Sequence, residues 1–423
     1  MLIGGGPIFQ RIGEAVDAAR HSIWLTIAFY TDNFCFPDGR GSLFDALDRA
    51  VARGVDVRVV VWRPNPEVAR RPNMFIGSSA DRDLLGKRGS RIKIRWDRTV
   101  GVFCQHQKSW VIDAGQPLQS AFVGGANLGA PSFEFHDVYL EVAGPAVTDV
   151  HHNFVQRWNE ASEREKEDGS WNCDAAEVLP FPVQASGRRG SSIVQIQRML
   201  QGGLYRDGRP TPGGNAFDVA QGERSVLEQY ERAIDAAKRT IYLENQAIPV
   251  MSVAGPLVRA LERGVDVVLL APAKPEDYVY AARHDPNQRP RFEGIDALGR
   301  YPNFLFAGIA KQDGESRHPV YVHSKHMVVD NAWATIGSCN LHAFSLAGHS
   351  EMNASIWDEE VVRDFRRRLF ALHLGLDVAH LDDRAAVQLY CRVAQENRAK
   401  MEAGDTNWQG NVFALSPERY GLT

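Results

Sequence analysis

The chain repeats itself, and that most restricts what it can fold into. Residues 15–25 read AVDAARHSIWL and residues 233–243 read AIDAAKRTIYL; residues 50–57 read AVARGVDV and residues 260–267 read ALERGVDV. An internal repeat implies one structural unit built twice. In the first copy Ile8, Ile12, Ala15, Val16 and Ala19 recur at helical spacing ahead of an apolar strand, Ser22–Phe29. Leu43, Leu47, Ala50 and Val51 form a second helical stripe. Gly54 then stands where a helix ends, directly before the alternating Val55, Val57, Val59 and Val61, and Gly264 takes the same place before Val265, Val267 and Leu269. Apolar strands follow in both copies, VRVVVW at 57–62 and VVLLAP at 267–272. Helices alternating with buried strands define an α/β fold, with each sheet flanked by helices.

Between the copies the composition changes. Glu160–Asp168 is charge-rich, and GGLYRDGRPTPGG at 202–214 is a run of turn residues. The reading is a first half over 1–160, a connecting segment over 161–215, and a second half over 216–423 that ends in a C-terminal helical segment (RDFRRRLFALHLGL, then RAAVQLYCRVAQ).

Each half carries the same polar cluster. The first reads CQHQKSWVID at 104–113 and then GGAN at 124–127; the second reads YVHSKHMVVDNAWATIGSCN over 321–340. His106 and Lys108, like His323 and Lys325, stand two apart, which on a strand aims both side chains at one place. A following strand ends in Gly124, Gly125 and Asn127, or in Gly337, Ser338 and Asn340. Glycine admits close backbone approach, and the Asn amide and Ser338 hydroxyl are neutral donors suited to phosphate oxygens. Two His, two Lys and two Asn converging form a phosphodiester site that needs no metal or other cofactor. One imidazole attacks phosphorus, the other protonates the departing oxygen, and the lysines and asparagines hold the non-bridging oxygens.

The two clusters resemble the duplicated His-x-Lys-(x)4-Asp motif of the phospholipase D superfamily. The resemblance covers most of the chain; it departs from the pattern in the first copy, where four extra residues separate Asp113 from Gly124. It implies two α/β halves related by a pseudo-twofold axis, one shared active site, and a phosphohistidine intermediate. It implies a supporting role for Asp113 and Asp330, and it matches Asp137 (in FEFHDVYLEV) and Glu351 (in GHSEMNASI) to acids that orient the histidines. IYLENQ at 241–246 and SIVQIQRML at 192–200 resemble segments of phospholipases D proper. The leading expectation is therefore cleavage of the head-group bond of glycerophospholipids at a membrane surface, with His106 as nucleophile and water or a small alcohol as acceptor. A cardiolipin or phosphatidylserine synthase-type phosphatidyltransferase, a nuclease, and a non-catalytic lipid-binding protein are the competing expectations.

Composition narrows these. A net charge of −4 argues against a general nucleic-acid binder. No apolar run approaches the roughly 20 residues of a membrane span, and MLIGGGPIFQ lacks the basic start of a secretory signal, which favours a cytoplasmic or peripheral membrane protein. The five cysteines are scattered without CxxC spacing and read as free thiols. A monomer is expected. Aromatic loops (FCFPDG at 34–39, PNMFIG at 72–77, RYPNFLFAG at 300–308) read as packing or membrane docking, with packing favoured. His151 and His152 are expected on a helix surface, and His318, His326, His342 and His349 as pocket residues or bystanders.

Overall fold

The computed structural model describes residues 1–66 and 74–422; Pro72 and Asn73 of the PNMFIG loop lie outside the described residues. It contains two mixed sheets built to one plan. The first consists of β1 (Ser22–Ile27), β2 (Asp56–Trp62), β3 (Lys93–Asp97), β4 (Ser109–Ile112), β5 (Ser120–Gly124) and β6 (Val138–Ala143) in the spatial order β6-β5-β4-β1-β2-β3, with a short strand added at each edge. The second consists of β7 (Ile193–Leu200), β8 (Thr240–Glu244), β9 (Asp266–Leu270), β10 (Phe304–Asp313), β11 (His326–Val329), β12 (Trp333–Gly337) and β13 (Glu351–Trp357). Its order is β7-β13-β12-β11-β8-β9-β10, so β8–β13 repeat β1–β6 position for position. In both sheets the first three strands of the unit are parallel and the remaining three antiparallel.

The helical stripes fall as their spacing requires. Residues Gly5–Ala18 and Leu43–Ala52 are helices that bury Ile8, Ile12 and Val16, and Leu43, Leu47 and Ala50. Gly54 and Gly264 both have positive φ, 88° and 84°, the left-handed turn that stops a helix before a strand. Three apolar cores result. One lies outside each sheet under its own helices, and the third lies between the sheets, where Val123, Val138 and Leu140 join Ala334, Ile336 and Ala354. This last core places the ends of β4 and β11 close together.

Within 161–215, Ser170–Trp171 pairs with β3 and β7 lies beside β13 in the second sheet. The C-terminal segment is helical as expected, over Glu359–Leu374 and Asp383–Glu402, and then returns as Val412–Ala414 on the edge of β10. One expectation is revised. His151 and His152 are on helix Val147–Asn159 but inside the core, where His151 meets Trp24 and His152 meets Phe181. Of the aromatic loops, Phe34, Phe36 and Phe75 are buried and serve as packing.

Candidate active site

The motif histidines stand just before the strands, not on them. Strands β4 and β11 begin at Ser109 and His326, and the segments leading into them carry His106 and Lys108, and His323 and Lys325. Those segments are kept extended by pairing across the halves. His106 N donates to Ser350 O at 2.8 Å, and Ser350 N to Cys104 O at 2.9 Å. Reciprocally, His136 N donates to Tyr321 O at 2.9 Å and His323 N to His136 O at 2.8 Å. Each half therefore offers its motif segment to the acid-bearing segment of the other.

The carboxylates follow the backbone. His106 Nδ1 lies 2.9 and 3.0 Å from the two oxygens of Glu351, and His323 Nδ1 lies 2.6 Å from Asp137 Oδ2. Both acids are wholly buried, and both pairs join opposite halves. With Nδ1 so held, each ring turns Nε2 toward the cleft it lines. Lys108 Nζ and Lys325 Nζ each donate to the backbone carbonyl of the histidine two residues before, and Lys325 also reaches Gln246 Oε1 at 3.1 Å. Asn127 and Asn340 line the same cleft, and the Oδ1 atom of each is buried without a hydrogen-bond partner. The longer hairpin between Asp113 and Gly124 leaves the Asn127 position intact, since the extra residues form the turn beyond β4. At Gly125 a Cβ would stand 2.7 Å from Asp137 Oδ1 and 3.2 Å from His323 O, so the bare backbone is what lets the two halves meet there.

Ser338 corrects an expectation. Its hydroxyl donates to Glu351 Oε2 at 2.5 Å, away from the cleft, because the Oγ lies on the strand face that meets β13. Ser345, which the sequence did not single out, donates to Glu351 Oε1 at 2.6 Å. His349 also lines the cleft, its Nδ1 accepting from Cys104 N, and its ring stands 5.8 Å from that of His106. The flanking sequence GHSE placed it near the motif but gave no orientation. His342 shares this wall, whereas His318 is exposed on a distant hairpin. Cys339 is fully buried as a small packing residue.

Electrostatics set the resting state. Burial pushes His323 down to about 4, helped by Lys325 and opposed by Asp137. His106 is held well below its ordinary value by burial and by both lysines. Both imidazoles are thus neutral in the ligand-free site. Burial brings Lys108 down to about 8 and Lys325 to about 7, so the ammonium charges that a phosphate needs are lost as pH rises through that range. The carboxylates differ. Burial raises Asp137, but His323 and Lys325 outweigh it and keep it ionised below the usual range; burial prevails at Glu351 and raises it.

Asp113 and Asp330 do not touch the cleft. Asp330 accepts the N–H groups of Lys238, Arg239 and Thr240, each at 2.8 Å; Asp113 does the same for Arg20, His21 and Ser22 at 2.7–3.1 Å for its Oδ1. Both acids have positive φ, 50° and 54°, which Asp tolerates better than Ala. They tie the start of the central strand to the end of the motif strand. Asp330→Ala is expected to cost about 2 kcal/mol, the order of a few charge-assisted hydrogen bonds at a partly solvated site, and to leave kcat within about tenfold. Urea unfolding alongside steady-state kinetics checks this; a large kcat loss without destabilisation would contradict it.

The family described as "Cardiolipin synthase, PLD-like domain" matches residues 12–158 and 230–372, and the family described as "Phospholipase D" matches residues 114–252. The chain belongs to the phospholipase D superfamily. It is 28% identical over 380 residues to cardiolipin synthase 1 of Staphylococcus epidermidis, covering 87% of this chain and 66% of that protein. To phospholipase D alpha 1 of Zea mays it is 23% identical over 517 residues, covering 87% of this chain and 63% of that protein. The chain thus spans about two-thirds of the length of these curated relatives. The crystal structure of phosphatidylserine synthase from Haemophilus influenzae Rd KW20 has the same fold, with a TM-score of 0.57, 13% identity, and coverage of 94% of this chain and 92% of that one.

Proposed function

We propose that the protein is a phosphatidyltransferase of the cardiolipin synthase type, moving a phosphatidyl group from one phospholipid to an alcohol through a phosphohistidine. The observation that carries this is the pair of imidazoles, each fixed at Nδ1 by a carboxylate of the other half and both facing one cleft of about 940 Å³. Family and relatives favour transfer over the head-group hydrolysis placed first from the sequence, because the family description and the higher identity both carry the synthase name.

The asymmetry of the carboxylates supports a division of roles. Asp137 stays ionised beside His323 and so stabilises an imidazolium there, as a general acid requires. Glu351 takes two hydroxyl donors and is raised by burial, so it supports an imidazolium less than Asp137 does, and His106 takes the nucleophile's part. His106 Nε2 attacks phosphorus, the P–O bond to the leaving alcohol breaks, and that oxygen takes the proton of His323. The acceptor hydroxyl then gives its proton to His323, its oxygen attacks phosphorus, and the P–N bond breaks. The bound phosphodiester anion is what raises His323 enough to carry the proton in the first step.

The surroundings suit a lipid acceptor. Phe29 stands 6.0 Å from His106 and Phe135 5.9 Å from His323, ring centre to ring centre. Both catalytic rings are nearly buried, at 7% and 4% exposure, which limits competing water. Val102 and Phe344 are exposed apolar side chains lining the cleft, which Arg291 also lines, a combination suited to an anionic bilayer surface. Among the described residues no helix is long and apolar enough to cross a membrane.

Cardiolipin is two phosphatidyl groups on one glycerol, so the test is purified protein with phosphatidylglycerol vesicles. Transfer gives cardiolipin and free glycerol in step. Phosphatidic acid as the sole lipid product would replace transfer by hydrolysis, and no product from any common phospholipid would overturn the lipid reading altogether.

A further inference from the structure

Behind the catalytic cleft lies a second polar cluster that the reaction does not use. Glu244 ends β8, His326 begins β11, His373 is on helix Glu359–Leu374, and His136 precedes Asp137. All four are buried, at 0–6% exposure. One ligand atom each of His136, Glu244 and His373 falls within a sphere where none is more than 4.8 Å from another. His136 Nε2 is 2.7 Å from Glu244 Oε2, and His326 Nε2 and His373 Nε2 are 3.6 and 3.9 Å from Glu244 Oε1.

Hydrogen bonding leaves this cluster unfinished. His136 Nε2 is close to the carboxylate but without hydrogen-bond alignment, His373 Nε2 has no hydrogen-bond partner, and neither ring nitrogen of His326 has one. Buried polar groups are normally paired, so atoms left this way call for a partner. The outer atoms, by contrast, are well held. His373 Nδ1 meets the hydroxyls of Tyr242 and Tyr390 at 3.2 and 3.1 Å, and Glu244 accepts from Tyr242 and Ser324 at 2.5 Å each. That is the outer shell expected of ligands whose remaining lone pairs face a cation.

We propose that His136, Glu244 and His373 bind one divalent metal ion of the zinc class. Two imidazoles and a carboxylate are a three-ligand donor set for tetrahedral zinc, whose ligand atoms stand about 3.3 Å apart for bonds of about 2.0–2.1 Å. The ion is structural and positioning, since all three protein ligands are buried away from the cleft. It joins the halves: His136 comes from the first and the other two from the second. The His136 backbone carbonyl accepts from His323 N, and the next residue is Asp137, so the ion fixes the two sides of the His323–Asp137 pair.

The test reads metal, not turnover, and so stands apart from the transferase reading. The full chain carrying His106→Ala and His323→Ala, which removes the two catalytic imidazoles, is loaded with zinc(II) or cobalt(II) and desalted. About one ion per chain is expected, with the visible bands of tetrahedral cobalt and a rise in Tm on zinc loading. Adding His373→Ala, or the milder Glu244→Gln should the first fail to fold, is expected to remove the retained ion and the Tm response. A folded chain that retains no zinc and shows no Tm shift overturns the proposal, as does undiminished retention in a folded His373→Ala or Glu244→Gln protein.

Discussion

His323→Ala is expected to abolish the proposed phosphatidyl transfer, by about four orders of magnitude or more, while the chain stays folded. Without the ring at this position the departing oxygen has no positioned proton donor, and the acceptor hydroxyl has no base. His106→Ala is expected to be as severe, because no P–N bond can form. The folded state survives either change because the histidines contribute little to the apolar cores. The cost of His323→Ala is one hydrogen bond and a buried, ionised Asp137 left with the Val138 N–H, about 3 kcal/mol or more. Circular dichroism and urea unfolding with product analysis decide the matter. Turnover within tenfold of wild type in His323→Ala would end the shared-site reading. Acid quenching in mid-turnover separates the roles of the two rings: phosphate is expected on His106, and its recovery on His323 would reverse the assignment.

Removing Glu351 is expected to be nearly as damaging, for two reasons that can be measured apart. The carboxylate holds His106 in the tautomer that exposes Nε2, and loss of such an orienting acid costs about 10³–10⁴ in kcat. It also gathers the Ser338 and Ser345 hydroxyls and the His106 ring in a fully buried site, so Glu351→Ala should destabilise the chain by about 3 kcal/mol or more. The particular content is which histidine it serves. A stability cycle of Glu351→Ala with His106→Ala should show coupling of about 1–3 kcal/mol, and a cycle with His323→Ala much less. Coupling to His323 instead would mean that the acid serves its own half, against the observed pairing. Asp137→Ala should show the mirror result, coupling to His323.

Much of this was legible in the chain. The stripe Ile8–Ile12–Val16, the glycines at 54 and 264, and the valines of β2 specify helix, stop and strand by local spacing, and each element forms close to where its pattern puts it. The repeated His-x-Lys gave the site, because two residues of extended backbone share a face whatever surrounds them. The misreadings share a cause. The helical pattern at 147–159 is correct, but which neighbours cover His151 and His152 is not a property of the helix. Ser338 stands in the right tripeptide, yet whether its hydroxyl faces phosphate or Glu351 depends on β13, which arrives later in the chain.

Backbone period and local sterics along the chain specify the duplicated unit, the residue types of the site and the short-range geometry within each motif. The packed fold is what exchanges the acids between halves, over separations of 245 residues for His106–Glu351 and 186 for His323–Asp137. It also brings His136, Glu244 and His373 to one point. Such meetings follow from how two sheets pack on a common core, where the apolar surface buried is spread over many residues and no spacing along the chain records which polar side chains the packing will bring face to face.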